Sequence, residues 1–152
     1  MKKAALLALI GTLALASCNR NAAPDITGTT KAASFKAMLP DDAAYKNAAG
    51  SGKYVDLTGG DRRTTLTATG LKANTSYLAH YHMMGSADAT DPCKSNGDIV
   101  GGVIATANTD ANGALTLKGF QNTDSLKNAT YINIHEAANP SVVPLCAPLK
   151  LK

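Results

Sequence analysis

Short runs of alternating apolar and polar residues, each ended by glycine or asparagine, recur along this chain of 152 residues and commit it to a β architecture. An extended backbone points successive side chains to opposite faces, so a period of two marks a strand with one buried side. Residues 63–69 (RTTLTAT) place Thr65, Thr67 and Thr69 on one face and Leu66 and Ala68 on the other. The same reading predicts strands at 75–82, 99–106, 114–120 and 130–135, with weaker candidates at 34–39 and 53–57. Between 99–106 and 114–120 lies Asp110-Ala-Asn-Gly113, a hairpin turn in which Gly113 is free to take a positive φ. Residues 41–49 are alanine-rich and fit either a short helix or strand and loop. Many short strands joined by such turns predict an all-β sandwich or barrel. Aromatic residues make up 5% of the chain and tryptophan is absent, so the core is expected from leucine, isoleucine, valine and alanine, with Tyr81 alternating inward among them.

The first residues stand apart from that pattern. Lys2 and Lys3 precede an apolar run over 4–16 that is too short for a permanent membrane span. The run ends in Leu15-Ala16-Ser17-Cys18, which resembles the lipobox of bacterial lipoproteins. The resemblance implies a signal peptide over 1–17, cleavage before Cys18 and lipidation of Cys18. It implies export and anchoring to the bacterial cell envelope, at the outer membrane or periplasmic face. Each buried acyl methylene adds roughly 0.8 kcal/mol, so several chains anchor stably. Residues 18–33 read as the lipidated cysteine and a flexible tether, and 34–152 as one domain. A tethered chain is expected to be a monomer. The 15 basic and 11 acidic residues give a net charge of +4, part of which Lys2 and Lys3 would take away with the signal. No basic run with interleaved aromatics points to nucleic acid as a partner. The doublet Arg62-Arg63 is expected on a solvated strand face.

With Cys18 assigned to lipid, two of the three cysteines remain, Cys93 and Cys146. An exported compartment permits a disulfide between them, worth about 4 kcal/mol for a loop of roughly fifty residues. The alternative is that one or both serve as thiolate metal ligands.

The chain has three histidines. His80 and His82 are two apart on one predicted strand and share a face, and His135 ends another. A third imidazole from a neighbouring strand would complete a trigonal nitrogen site, and imidazole suits copper, zinc, iron and nickel. Met84 falls on the same face if the alternation continues, which makes its thioether a candidate axial ligand for Cu(I).

Along Gly70-Leu71 and the strand ending His80-Tyr81-His82, the chain resembles the copper–zinc superoxide dismutases. Cys93, Thr109–Gly113, Ile132-Asn-Ile-His135 and Cys146 match that family's motifs in the same order. The resemblance implies a Greek-key β-sandwich or barrel, a copper site at His80, His82 and His135, and a Cys93–Cys146 disulfide. Two loops are shortened relative to the family. The segment after Cys93 carries no histidine, so one copper ion per chain and no zinc is expected. Asp98 and Asp110 read as turn or surface residues. Val143 stands where the family has its guiding arginine, three residues before the second cysteine. Residues 131–140 also look like the end of CHRD domains.

The functional expectation is a cell-envelope copper-binding lipoprotein acting as a copper-only superoxide dismutase, with superoxide or copper ions as partners. The alternatives are a copper buffering or sequestration protein of the same fold and a CHRD-like module without metal. Dismutation needs a redox-cycling metal, an open coordination position and a proton source. An open site would draw its protons from solvent, and loss of the arginine weakens steering of an anion.

Overall fold

The computed structural model describes residues 25–88 and 90–149; the expected signal peptide, Cys18 and most of the tether lie outside them. Eight strands carry the fold: β1 (Lys31–Ala37), β2 (Ala49–Asp56), β3 (Asp61–Thr69), β4 (Ser76–Met83), β5 (Ile99–Asn108), β6 (Leu115–Asn122), β7 (Ala129–Glu136) and β8 (Leu145–Pro148). They form one antiparallel sheet in the order β5-β4-β7-β8-β1-β2-β3-β6, curled into a nearly closed barrel. Consecutive strands β4, β5 and β6 are followed by β7, which returns beside β4, a Greek-key arrangement. The open seam lies between β5 and β6, where the Gln121 amide donates to Val103 O at 3.2 Å.

The period of two is clearest in β6, where Leu115, Leu117, Gly119 and Gln121 face inward and their neighbours outward. In β3, Leu66 and Ala68 point in and Thr67 and Thr69 out, as the alternation predicts. The hairpin after β5 closes through Gly113 N–H to Asp110 O at 3.1 Å, with Gly113 at φ 75°. Both weak strand candidates form, as β1 and β2. Residues 40–47 run as consecutive turns, not a helix. The Asp42 carboxylate accepts the Ala44 N–H and Asp42 O accepts the Tyr45 N–H, a local closure that drops the Tyr45 ring into the barrel.

Two expectations need correction. Tyr81 is not the one ring in an aliphatic core: all five tyrosines are at most 2% exposed and are the largest fully buried side chains. Tyr45, Tyr77 and Tyr81 fill the main core with Leu66, Leu117, Ile132 and Ile134, while Tyr54 packs with Ala33 and Ala147. A ring brings more apolar area than any aliphatic side chain, and its hydroxyl is tolerated only when bonded. Here Tyr81 Oη lies 2.6 Å from Thr64 Oγ1, Tyr77 accepts the Lys72 N–H at 3.1 Å, and Tyr45 donates to Glu136. Arg62 is the second correction. It is not on a solvated face but shares the inner face of β3 with Thr64, Leu66 and Ala68. Its guanidinium meets Asp56 at 2.6 and 3.2 Å and lies 5.0 Å over the Tyr54 ring.

Cys93 and Cys146 form a disulfide, which closes the question of thiolate ligands. Cys146 is fully buried on β8, and Cys93 lies in a single 3-10 turn, Pro92–Lys94. The bridge pins the segment between β4 and β5 against the outside of β8, helped by the Lys36–Asp91 ion pair at 2.6 Å. Asp98 is exposed, and Asp110 spends its carboxylate on the N–H groups of Asn112 and Ala114.

Candidate metal centre

The site is built on the outer face of β4 and β7. On β4 the core takes Tyr77, Ala79 and Tyr81, so Leu78, His80 and His82 project outward. On β7 the core takes Ile132 and Ile134, leaving Tyr131, Asn133 and His135 outside. Register places His82 opposite Tyr131, His80 opposite Asn133 and Leu78 opposite His135. One irregularity shapes this face. His80 pairs with Val103 and Tyr81 with Val100, so Gly101 and Gly102 bulge out of β5, both at φ near +70°. A bulge bends the strand and re-aims its neighbours, and only glycine holds these angles without strain.

His80, His82 and His135 each offer one ligand nitrogen, and these atoms all lie within 4.8 Å of one another. The three histidines are 7–8% exposed, with Gly97 against His82 and Pro140 against His135. These three buried histidines can hold a metal ion. Backbone carbonyls set two of the rings. His82 Nδ1 donates to Gly97 O at 2.9 Å, and His135 Nδ1 donates to Pro140 O at 2.6 Å. A hydrogen on Nδ1 leaves the lone pair on Nε2, the arrangement that orients a metal-ligating histidine. His82 Nε2, His135 Nε2 and His80 Nδ1 are all buried without a protein partner. Tyr131 stacks on His82 with ring centroids 4.8 Å apart and planes 9° apart, and its hydroxyl accepts the Gly97 N–H at 2.9 Å. Gly97 is therefore gripped by Tyr131 on one side and grips His82 on the other.

Burial disfavours the charged form of each ring. It pushes His80 down to about 4, with the neighbouring His135 and His82 adding to the shift. Burial also lowers His82 and His135, outweighing the carbonyls of Gly97 and Pro140 that favour their charged forms. At neutral pH the centre presents three uncharged imidazoles, the form that binds a metal.

Met84 lies one residue beyond β4 and is half-buried. The register of β4 against β7 shifts between His82 and Met83, so strand alternation no longer fixes the face that Met84 takes. Val143 is half-buried in the segment before β8. Three contributors, Tyr131, Gly97 and Pro140, and the facing Asn133 were not expected from the sequence. Tyr131 and Asn133 carry a usable signal, since they lie four and two residues before His135 and share its face. Gly97 and Pro140 act through backbone oxygens and leave no side-chain signature. No family model matches the chain, and no curated protein does.

Proposed function

We propose that this chain is an exported, lipid-anchored copper-binding protein that dismutates superoxide at a single three-imidazole centre. One observation carries the reading: three buried, uncharged imidazoles direct unpartnered nitrogens to a common point, two of them locked by carbonyl acceptors. A buried nitrogen lone pair without a partner is costly, and a cation satisfies all three together. Copper is the metal because the donor set is all nitrogen, with both cysteines tied in a disulfide. Among divalent first-row ions such a set binds Cu²⁺ most tightly. The disulfide also fits an oxidising compartment, in line with the lipobox-like Leu15-Ala16-Ser17-Cys18.

Bound copper would supply one-electron cycling, through which one superoxide is oxidised to dioxygen and a second, with two protons, is reduced to hydrogen peroxide. His80 Nδ1, His82 Nε2 and His135 Nε2 hold the ion. Gly97 O and Pro140 O keep two of the rings from turning. Protons come from solvent, because the three imidazoles are committed as ligands. Val143, in place of the family's arginine, favours a second reading in which the same site buffers or sequesters copper without catalysis.

Superoxide decay measured on Cu(II)-loaded protein, freed of unbound metal, separates the two. Wild-type protein is expected to outpace His80→Ala; decay no faster than that control leaves only the copper holder. After equilibration with equal copper and zinc, metal analysis is expected to find copper, and retention of zinc instead would overturn the metal assignment.

A further inference from the structure

Among the described residues, six buried side-chain polar atoms have no hydrogen-bond partner, and three are the ligand nitrogens. A fourth, Asn133 Oδ1, belongs to the same face. Asn133 is 8% exposed and lies directly opposite His80 across the β4–β7 pair. Residues so paired hold their Cβ atoms roughly 5 Å apart. On its own strand Asn133 sits between Tyr131 and His135. On its other side it faces Cys146, whose sulfur is closed in the disulfide and has no hydrogen to give. The Tyr131 hydroxyl is engaged with Gly97. Of these neighbours, Cys146 has no hydrogen to offer, the Tyr131 hydroxyl is engaged, and His80 Nδ1 is itself unpaired. An amide oxygen is an acceptor only, and buried acceptors are bonded in nearly all proteins. A cation held by the three nitrogens would offer this oxygen a partner as well.

Resting on the copper reading above, we propose that Asn133 Oδ1 is a fourth ligand of the centre, in place of the Met84 thioether expected from the sequence. Amide oxygen is a weak donor to copper, suited to a long bond that completes a trigonal nitrogen set. Three imidazoles and a neutral oxygen add no charge to the ion, and a weak fourth bond leaves that side yielding to an incoming anion.

The test uses purified wild-type protein, Asn133→Leu and Asn133→Asp, titrated with Cu(II) against a competing chelator and examined by electron paramagnetic resonance. Asn133→Leu is expected to bind Cu(II) about tenfold more weakly, with changed copper hyperfine splitting and tighter azide binding at the vacated position. Asn133→Asp puts a carboxylate oxygen in the same place and is expected to bind at least tenfold more tightly than wild type. Without metal, Asn133→Leu is expected to melt no lower than wild type, because it removes an unpaired acceptor. A merely structural asparagine would instead lower that melting point and leave the copper spectrum unmoved. A wild-type protein that takes up no copper ends the parent reading as well. Copper uptake by wild type with Asn133→Leu or Asn133→Asp spectra superposable on it overturns this inference alone.

Discussion

The inside of the barrel and the outside of the β4–β7 pair both bury polar side chains, and they treat them in opposite ways. Inside, donors meet acceptors. Tyr81 is joined to Thr64, Tyr77 to the Lys72 backbone, and Glu136 to both Tyr45 and the Lys72 ammonium at 2.6 Å. Even the two unpaired atoms there, Arg62 Nη1 and Gln121 Oε1, are a donor and an acceptor on directly opposite residues. Outside, the unpaired atoms are three imidazole nitrogens and one amide oxygen. The three nitrogens lie within 4.8 Å of one another, so one cation can meet them together. Convergence of like groups, not burial itself, distinguishes a site from a scaffold.

The largest test breaks the support that the two regions share. The disulfide spans 53 positions and fastens the segment bearing Gly97 to β8. Replacing Cys93 and Cys146 together by serine is expected to cost about 4 kcal/mol of unfolding free energy, measured in urea. It also frees the carbonyl that orients His82, so copper affinity should fall along with stability. If affinity stays at the wild-type value, Gly97 is not positioned through the bridge.

Copper should act on the outer face alone. A ligand that binds only the folded state stabilises it by about 4 kcal/mol at a thousandfold excess over its Kd. Cu(II) is therefore expected to raise the melting temperature of wild type by several degrees and that of His80→Ala much less. An equal rise in both proteins would place the copper elsewhere.

Alternation made the strands legible, because each face is exposed to one environment and a period of two reports it directly. The pair His80 and His82 is visible for the same reason. What escaped depends on tertiary context. Arg62 reads as a surface charge until β2 brings Asp56 and Tyr54 against it. The tyrosines look too few to build a core, yet each is large and every ring is placed in the interior or under a loop. Strand β8 was hidden because Leu145–Pro148 is four residues of continuous apolar sequence with no alternation to read. The register shift after His82 breaks the periodicity on which the position of Met84 depended.

Acid gives a smaller effect of known sign. His80 titrates near 6.5 in the unfolded chain and about 4 in the folded metal-free protein. The unfolded state therefore binds the extra proton first as pH falls. Stability is complete above about pH 6.5 and declines through the window down to 4, by about 2 kcal/mol after allowance for solvent screening. His80→Gln should make that part of the profile shallower, leaving the contributions of His82 and His135. Equal slopes for wild type and His80→Gln between pH 6.5 and 4 would mean that the His80 ring is not held uncharged by burial.

The smallest effects come from one chemical edit made in both regions. Tyr81→Phe removes the hydroxyl that meets Thr64, and Tyr131→Phe removes the one that accepts the Gly97 N–H. Each removes a hydroxyl and its hydrogen bonding, so each is expected to cost about 1 kcal/mol in urea unfolding. Their effects on copper should differ. The Tyr81 hydroxyl lies within the barrel, and its loss should leave the Cu(II) dissociation constant unchanged. Tyr131→Phe keeps the ring stacked on His82 but loosens the residue whose carbonyl sets that imidazole, and groups that orient a metal ligand commonly change affinity by about tenfold or more. Competition titrations of the two variants should therefore separate where their unfolding curves coincide. Equal copper affinities would show that Gly97 holds His82 without help from Tyr131, and would move the tyrosine from the metal centre to the scaffold.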